Sequence, residues 1–447
     1  MRFTGKLIVL FLFSGAVSLH AQQPQPERKD TRSEVMANLD KAGGIHYMYE
    51  LDLPAPTPAP KGYKPFYISH IARHGARYGL GTGGENLYEK LNGLLQEAHR
   101  KGKLTPQGEE LYRHYTEFYP HVAFRGGELT RKGQEQHRRI ADKIYKDYPQ
   151  VFRGPTHAEA ISTNSHRVLL SMLSFLDELA ALDADFEFGM DAGNSYMDKL
   201  LPIAASSPVY KAPKPLSEEA KRQQEAFDAG HKRTGAFIGR FFNDPEFVEK
   251  KYGRTSFQHD MWVFVTCLQC LDTEPEYKFE DIFSPEDRYD YWQTYNYGLY
   301  LKYGRTPHTD DQRVLLSAYV LKDFMDKADA DMASGTTNLR LRFSHDSALM
   351  PLMSFMYVNG FGASVADPEE VASYWRTFEI PMGCNFQLIF FRGKKNDEIL
   401  VKPVFNGREA TLPFPSVTGP FYSWKDFKAY YTPMVEDAIR FLDQYGK

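Results

Sequence analysis

Three stretches of the chain share one design: a short apolar strand, a polar turn, then apolar residues at helical spacing. In KPFYISHIARHGARYG, Phe66, Ile68 and the residues after them read as a strand running into a turn at Arg73. In AEAISTNSHRVLLSMLSFLDELAAL, Ala160, Ile161 and Ser162 form the strand, and Leu169, Leu170, Leu173, Leu176 and Leu179 mark the helix. In TNLRLRFSHDSALMPLMSFM, Leu339, Leu341 and Phe343 alternate, Leu349, Leu352, Met353 and Met356 recur at helical spacing, and Asp346 or Ser347 takes the N-cap position. Units of this kind build an α/β sheet with helices on its faces, and ligands bind off the carboxyl ends of its strands. All three turns carry Arg or His at that end.

Between these units the pattern changes. GELTRKGQEQHRRIADKIYKDYPQVF reads as an amphipathic helix capped by Thr130, with Ile140 and Ile144 facing inward. From about Asp185 to Ala330 the chain has Pro208, Pro213 and Pro215, a capped helix from Ser217, and several aromatic helical runs. A short helical piece around Ser33–Ala42 and the extended connector LDLPAPTPAPKGYKP precede the main fold, which is expected to begin near Tyr63. The expected architecture is α/β: a Rossmann-like core sheet with helices on both faces and a mainly helical inserted domain. Its parts are a leader (1–21), an N-terminal extension and connector (22–62), the first part of the core (63–184), a helical insertion forming a substrate-specificity cap (185–330) and the second part of the core (331–447).

The leader has a signal-peptide layout. Arg2 and Lys6 precede an apolar run from Leu7 to about Leu19, and Ala21 offers a cleavage point. The run is short for a membrane span, no Cys follows it, and no later stretch reaches 18 uninterrupted apolar residues. A secreted or periplasmic protein with no stable membrane insertion after signal removal is expected. With 42% hydrophobic, 25% charged and 14% aromatic residues, the 447-residue chain is ordinary globular material with a large core. Formal charge is −4, and without Arg2 and Lys6 the remaining 52 basic residues face 58 acidic ones, a balance of −6. Nucleic acid is an improbable partner for such a surface, so an anionic ligand must be drawn by local arginines. Cys267, Cys270 and Cys384 are an odd set, and CLQC in an apolar run reads as buried thiols, not a redox or zinc half-site.

Arg73-His74-Gly75-Ala76-Arg77 places two guanidiniums beside an imidazole at a strand end, with Gly75 allowing close backbone approach to a ligand. Arginine matches phosphate oxygens with paired planar donors, and a neutral imidazole nitrogen can attack phosphorus. At the third turn His345 can donate to a phosphoryl oxygen and Asp346 can protonate a departing alcohol oxygen. The helix dipole favours ionised Asp346, whereas a bound phosphate raises its pKa. Arg167, in the first turn after STNSH, combines a guanidinium with a helix N-terminus. Taken singly, each motif also fits a basic surface turn, a helix cap or a solvated first-turn arginine. His166 is left out of the site, and His259-Asp260, His157, Lys211 and Lys214 read as structural or solvated. No metal-ligand set stands out, and no cofactor is expected.

Arg73-His74-Gly75-Ala76-Arg77-Tyr78, GELTRKGQEQHRR, STNSHR and Ser344-His345-Asp346 together resemble the histidine acid phosphatase family, the branch of the histidine phosphatase superfamily with phytases and multiple inositol polyphosphate phosphatases. The resemblance runs in order from about Tyr63 to Phe414. It implies that His74 is a nucleophile forming a phosphohistidine, that Arg73, Arg77, Arg167 and His345 bind the phosphoryl group, and that Asp346 is the proton donor, without a metal. Two positions depart from the pattern. Gly79 stands where the family usually has proline, which implies a different path for that loop. Asp346 stands where the inositol polyphosphate branch often has His-Ala-Glu. The implied function is a secreted phosphomonoesterase acting on a small phosphorylated substrate, with phytate-like inositol polyphosphates first. Broad-specificity acid phosphatase, sugar-phosphate phosphatase and a non-catalytic phospho-ligand binding protein are the alternatives.

Overall fold

The computed structural model describes residues 26–48, 53–394 and 398–445, so the expected leader at 1–21 lies outside the described residues. Among them, eight strands form one mixed sheet: β1 (Tyr63–Arg73), β2 (Thr156–Ser162), β3 (Phe186–Ala192), β4 (Leu339–Ser344), β5 (Asn385–Gly393), β6 (Ile399–Phe405), β7 (Arg408–Glu409) and β8 (Tyr422–Ser423). The order is β3-β2-β4-β1-β5-β6-β7, with β8 on β6. β1, β2, β3 and β4 run parallel; β5 and β6 are antiparallel additions. The expected α/β sheet is present, with an antiparallel half that hydrophobic patterning did not indicate.

Alternation along the strands explains the two helical layers. Ile68 and Ala72 of β1, with Leu339, Leu341 and Phe343 of β4, pack against Ile140, Ile144, Val168, Met172 and Phe175 of the helices Arg131–Asp147 and His166–Leu182. Tyr67 and Ile71 point the opposite way, into a core with Leu321, Phe324, Met353, Phe427 and Tyr431. On that second face Arg342 is fully buried and pairs with Asp323 at 2.7 Å. A third core joins Leu87, Leu91 and Leu111 to Phe237, Phe257, Trp262 and Trp292.

Three expectations change. Ordered structure begins well before Tyr63: Thr31–Ala37 is helical, Leu39–His46 forms 3-10 turns, and Ile45 and His46 are buried. The segment expected to be helical from 185 opens with β3, an exposed edge strand beside β2, where Phe186, Phe188 and Met190 alternate with polar residues and Gly189 but only Phe186 is buried. The helical layer also recruits Leu87–Arg100 and Pro106–Phe118, while Ser317–Ser334 covers the sheet instead. Among the described residues no helix is long and apolar enough to cross a membrane.

Beneath the strand ends, His70 of β1 is fully buried beside Phe175 and Phe343, and among the described residues neither ring nitrogen has a hydrogen-bond partner. Burial, aided by His137 and Arg342, pushes His70 down to about 3; burial pushes His137 down to about 4. Unfolded imidazoles titrate near ~6.5, so between about pH 6.5 and 4 the unfolded chain binds more protons and stability falls with pH. At about 1.4 kcal/mol per unit, His70 alone is expected to lose about 2–3 kcal/mol between pH 7 and 4.5. His70→Leu should therefore narrow the difference between urea unfolding free energies at those two pH values. An unchanged difference would dismiss His70 as a source of acid lability.

Candidate active site

Parallel pairing of β1 with β4 and of β4 with β2 sets the three turns side by side. Arg73 is in register with Ser344, and Phe343 with Ser162. The His74 N–H donates to Ser344 O (3.1 Å), and the Thr163 N–H to Phe343 O (3.3 Å). Sheet register thus brings Arg73, His74, Arg167, His345 and Asp346 together at one carboxyl edge.

Arg73 is wholly buried. Its Nη1 donates to Ile45 O (2.5 Å) and Ile380 O (2.9 Å), and its Nε lies 4.0 Å from Asp346 Oδ1. Among the described residues, Nε and Nη2 of Arg73, Nε of Arg77 and Nε of Arg167 are buried donors without a hydrogen-bond acceptor. Leaving such donors unmade costs roughly 1–3 kcal/mol each, which an anion in this place removes. Arg77 is anchored by Nη1 to Tyr78 O (2.9 Å). Burial, then the charges of Arg77 and Arg73, push the Arg167 guanidinium down to about 10. Positive charge is therefore crowded here, with Asp346 the carboxylate that acts on Arg73 and Arg167 among the described residues.

His74 is buried, with its ring centroid 5.6 Å from that of His345. Its Nδ1 lies 2.9 Å from Gly75 O. A carbonyl only accepts, so the neutral ring carries its proton on Nδ1 and its lone pair on Nε2. Burial, with Arg73, Arg167, Arg77 and His345 in support, holds His74 well below the ordinary imidazole value, so it stays neutral in acid. The His345 Nε2 lies 3.2 Å from Thr163 Oγ1; burial and then Arg167 lower the His345 pKa as well. Asp346 is the first residue of the Asp346–Met356 helix, and His345 is its N-cap, one residue earlier than the sequence suggests, because His345 keeps extended backbone at the strand end. Burial pushes the Asp346 carboxyl up, but Arg73, His345, Arg77 and Arg167 together outweigh it and hold the group below the usual range.

The turn after β1 is held by residues that patterning did not single out as part of the site. The Gly75 N–H donates to Ser171 Oγ (3.1 Å), which itself donates to Arg167 O (2.7 Å). The Ala76 N–H donates to Gln136 Oε1 (2.8 Å), whose amide donates to Met382 O (3.2 Å), and Thr130 Oγ1 donates to Ala76 O (3.0 Å). A polar Gln136 on the buried stripe of Ile140 and Ile144 was the available signal. Gly75 is required for a reason other than ligand approach: a Cβ there would strike the Gly133 carbonyl. Gly79, standing where proline was expected, donates its N–H to Tyr88 Oη (2.8 Å), which proline has no hydrogen to do. His46, from the segment before the connector, lies in a ring cluster with Trp262 and Tyr295, and its depressed pKa is due to burial, then Arg77 and Arg73. No sequence signal tied that segment to the strand ends.

The candidates set aside occupy other places. Asp260 is buried in the Arg254–Cys267 helix, accepting from Thr82 N (2.8 Å) and Tyr252 Oη (2.6 Å), and His259 faces Tyr291 Oη at 3.2 Å. His157 pairs with Glu159 at 2.9 Å, and all three cysteines are free, buried thiols. Among the described residues no cluster of three or more His, Cys, Asp or Glu is suited to a metal ion.

The family model for the histidine phosphatase superfamily (branch 2) matches residues 68–406. No curated protein matches the chain. Solved structures similar to it include the multiple inositol polyphosphate phosphatase of Bifidobacterium longum in complex with phosphate, at 17% identity and a TM-score of 0.67, covering 87% of this chain and 96% of that one. The phytase of D. castellii is 15% identical with a TM-score of 0.65, covering 90% and 85%. The phytase of Hafnia alvei is 10% identical with a TM-score of 0.52, covering 85% and 99%. Such identities establish a shared fold.

Proposed function

Because the chain belongs to branch 2 of the histidine phosphatase superfamily, a family of phosphatases, we propose that it hydrolyses phosphomonoesters in two steps through a phosphohistidine at His74. In the first step His74 Nε2 attacks phosphorus, the N–P bond forms, the ester P–O bond breaks, and Asp346 gives its proton to the leaving alcohol oxygen. In the second step water attacks the phosphoryl group, Asp346 takes the water proton, the N–P bond breaks, and inorganic phosphate departs. Arg73, Arg77, Arg167 and His345 bind the phosphoryl oxygens and stabilise the charge that spreads over them in the transition state.

The observation that carries this reading is the set of buried, acceptor-free guanidinium donors around an imidazole whose Nδ1 is committed to a carbonyl. The donors call for a tetrahedral anion, and the carbonyl leaves Nε2 as the nucleophilic nitrogen. Inositol polyphosphates such as phytate are the proposed substrates. Support comes from the fold shared with enzymes named phytase and multiple inositol polyphosphate phosphatase, and from the cationic surroundings. The signal-peptide layout of residues 1–21 supports export to the periplasm or beyond.

Phosphate release from phytate, glucose 1-phosphate and p-nitrophenyl phosphate is the direct test, run at acidic pH with and without a chelator. Turnover with phytate leading, unaffected by the chelator, is expected. No phosphate released from any of the three would refute the reading.

A further inference from the structure

Two histidines meet at the strand ends, and the proposed chemistry asks opposite things of them. His74 must keep a bare nitrogen toward phosphorus, and the Gly75 carbonyl arranges that by accepting its Nδ1–H. His345 must do the reverse, because holding a phosphoryl oxygen takes an N–H. Burial and then Arg167 hold the His345 pKa below the ordinary imidazole value, so its ring is neutral and carries a single proton. One ring nitrogen then donates and the other offers a lone pair, which repels a phosphate oxygen. Whatever sets the place of that proton belongs to the site.

Among the described residues the His345 ring has one hydrogen-bond partner, Thr163 Oγ1, 3.2 Å from Nε2. Thr163 is fully buried just beyond β2, and its backbone is held on both sides. Its N–H donates to Phe343 O (3.3 Å), and its carbonyl accepts from Ser162 Oγ (2.9 Å). A hydroxyl can donate or accept, so the distance alone allows two arrangements, and donor accounting separates them. Among the described residues His345 Nε2 is the acceptor within reach of the Thr163 hydroxyl. Were Nε2–H the donor, the hydroxyl proton would be buried with nothing to receive it, which folded proteins avoid. With Thr163 donating, its proton is placed, Nε2 is the bare nitrogen, and the ring proton sits on Nδ1. His345 is only half-buried, and Nδ1 is the nitrogen left for a ligand.

We infer that Thr163 is a positioning residue: its hydroxyl donates to His345 Nε2 and thereby fixes the tautomer and ring orientation in which His345 Nδ1–H meets the phosphoryl oxygens. The inference rests on the phosphatase reading and adds to it a residue that touches no substrate itself. The turn that supplies Arg167 also governs His345.

The test joins a spectroscopic readout to a binding one. In protein carrying isotope-labelled histidine, the ring-nitrogen NMR shifts of His345, assigned by their loss in His345→Ala, should show a protonated Nδ1 and a bare Nε2. Thr163→Val should release the ring from that single tautomer, and Thr163→Ser should restore it. Inorganic phosphate, titrated calorimetrically, should bind Thr163→Val about tenfold more weakly, the usual scale for one charge-assisted contact. The loss in kcat/KM should be equal on phytate and p-nitrophenyl phosphate, which present the same scissile group, and Thr163→Ser should recover most of it. Because Thr163 acts through His345, Thr163→Val should cost almost nothing further in a His345→Ala background. A protonated Nε2 in wild-type protein, undiminished phosphate affinity in Thr163→Val, or a full further loss in the His345→Ala background would each overturn the role. The wild-type tautomer decides the matter even where Thr163→Val fails to fold. Failure of the phosphatase reading is separately visible, since wild-type protein would then release phosphate from neither compound, while the tautomer is read without turnover.

Discussion

Replacing His74 with alanine should cut turnover of every phosphomonoester by about ten-thousandfold or more, because it removes the atom that accepts the phosphoryl group. The loss should not depend on the leaving group, and it should not remove the anion site. Arg73 keeps its anchors on Ile45 O and Ile380 O, and Arg77 its anchor on Tyr78 O, whether or not the imidazole is present. His74→Ala protein is therefore expected to bind inorganic phosphate with near wild-type affinity in a calorimetric titration while releasing none from substrate. Rapid denaturing quench of wild-type protein with labelled substrate should place the label on the peptide containing His74. Appreciable turnover by the variant, or label on another peptide, would remove His74 from the mechanism.

Asp346→Asn should show a different signature. General acid catalysis is worth about 10²–10⁴ when the leaving group needs a proton. The expected loss is of that size on phytate and glucose 1-phosphate but much smaller on p-nitrophenyl phosphate, whose phenolate departs readily unprotonated. The pH profile carries the same information. In the free protein Arg73, His345, Arg77 and Arg167 hold the carboxyl below its ordinary value despite burial. A bound phosphoryl group neutralises the arginines and adds its own negative charge, so the Asp346 pKa rises on binding and a proton is taken up. Raising the pH then removes the proton that the first step consumes, and kcat should decline from acidic toward neutral pH. His74 gives no opposing acid limb in the ordinary range, because burial and the surrounding cations keep it neutral there. In Asp346→Asn the decline should flatten, and a variant that retains the wild-type profile would show that another group supplies the proton.

Local pattern carried a large part of this molecule. Apolar alternation in LRLRFS and helical spacing in the residues after Asp346 correspond to β4 and to the helix Asp346–Met356. Thr130 and Ser217 cap the helices that start after them, each accepting from a backbone N–H three residues on. These features are legible because they depend on neighbours within about one turn of helix or a few residues of strand. β3 carries period-2 alternation in Phe186, Phe188 and Met190, yet it was missed because only Phe186 of this short edge strand is buried and the stretch runs on into helical sequence. The packing of residues 31–46 was missed because their contacts, such as Ile45 O to Arg73, involve residues far along the chain.

The chain order of residues alone determined the strand–turn–helix units, the chemical character of each turn, and the family to which Arg73-His74-Gly75 and His345-Asp346 point. Tertiary structure decided what those turns do together. Parallel register of β1, β4 and β2 sets Arg73 beside Ser344 and Thr163 beside His345, and Gln136 and Ser171 hold the intervening loop. The reason is physical. Secondary structure follows from short-range sterics and side-chain periodicity, whereas a phosphate cage is a long-range sum of charges and unpaired donors that exists only once the sheet has aligned them.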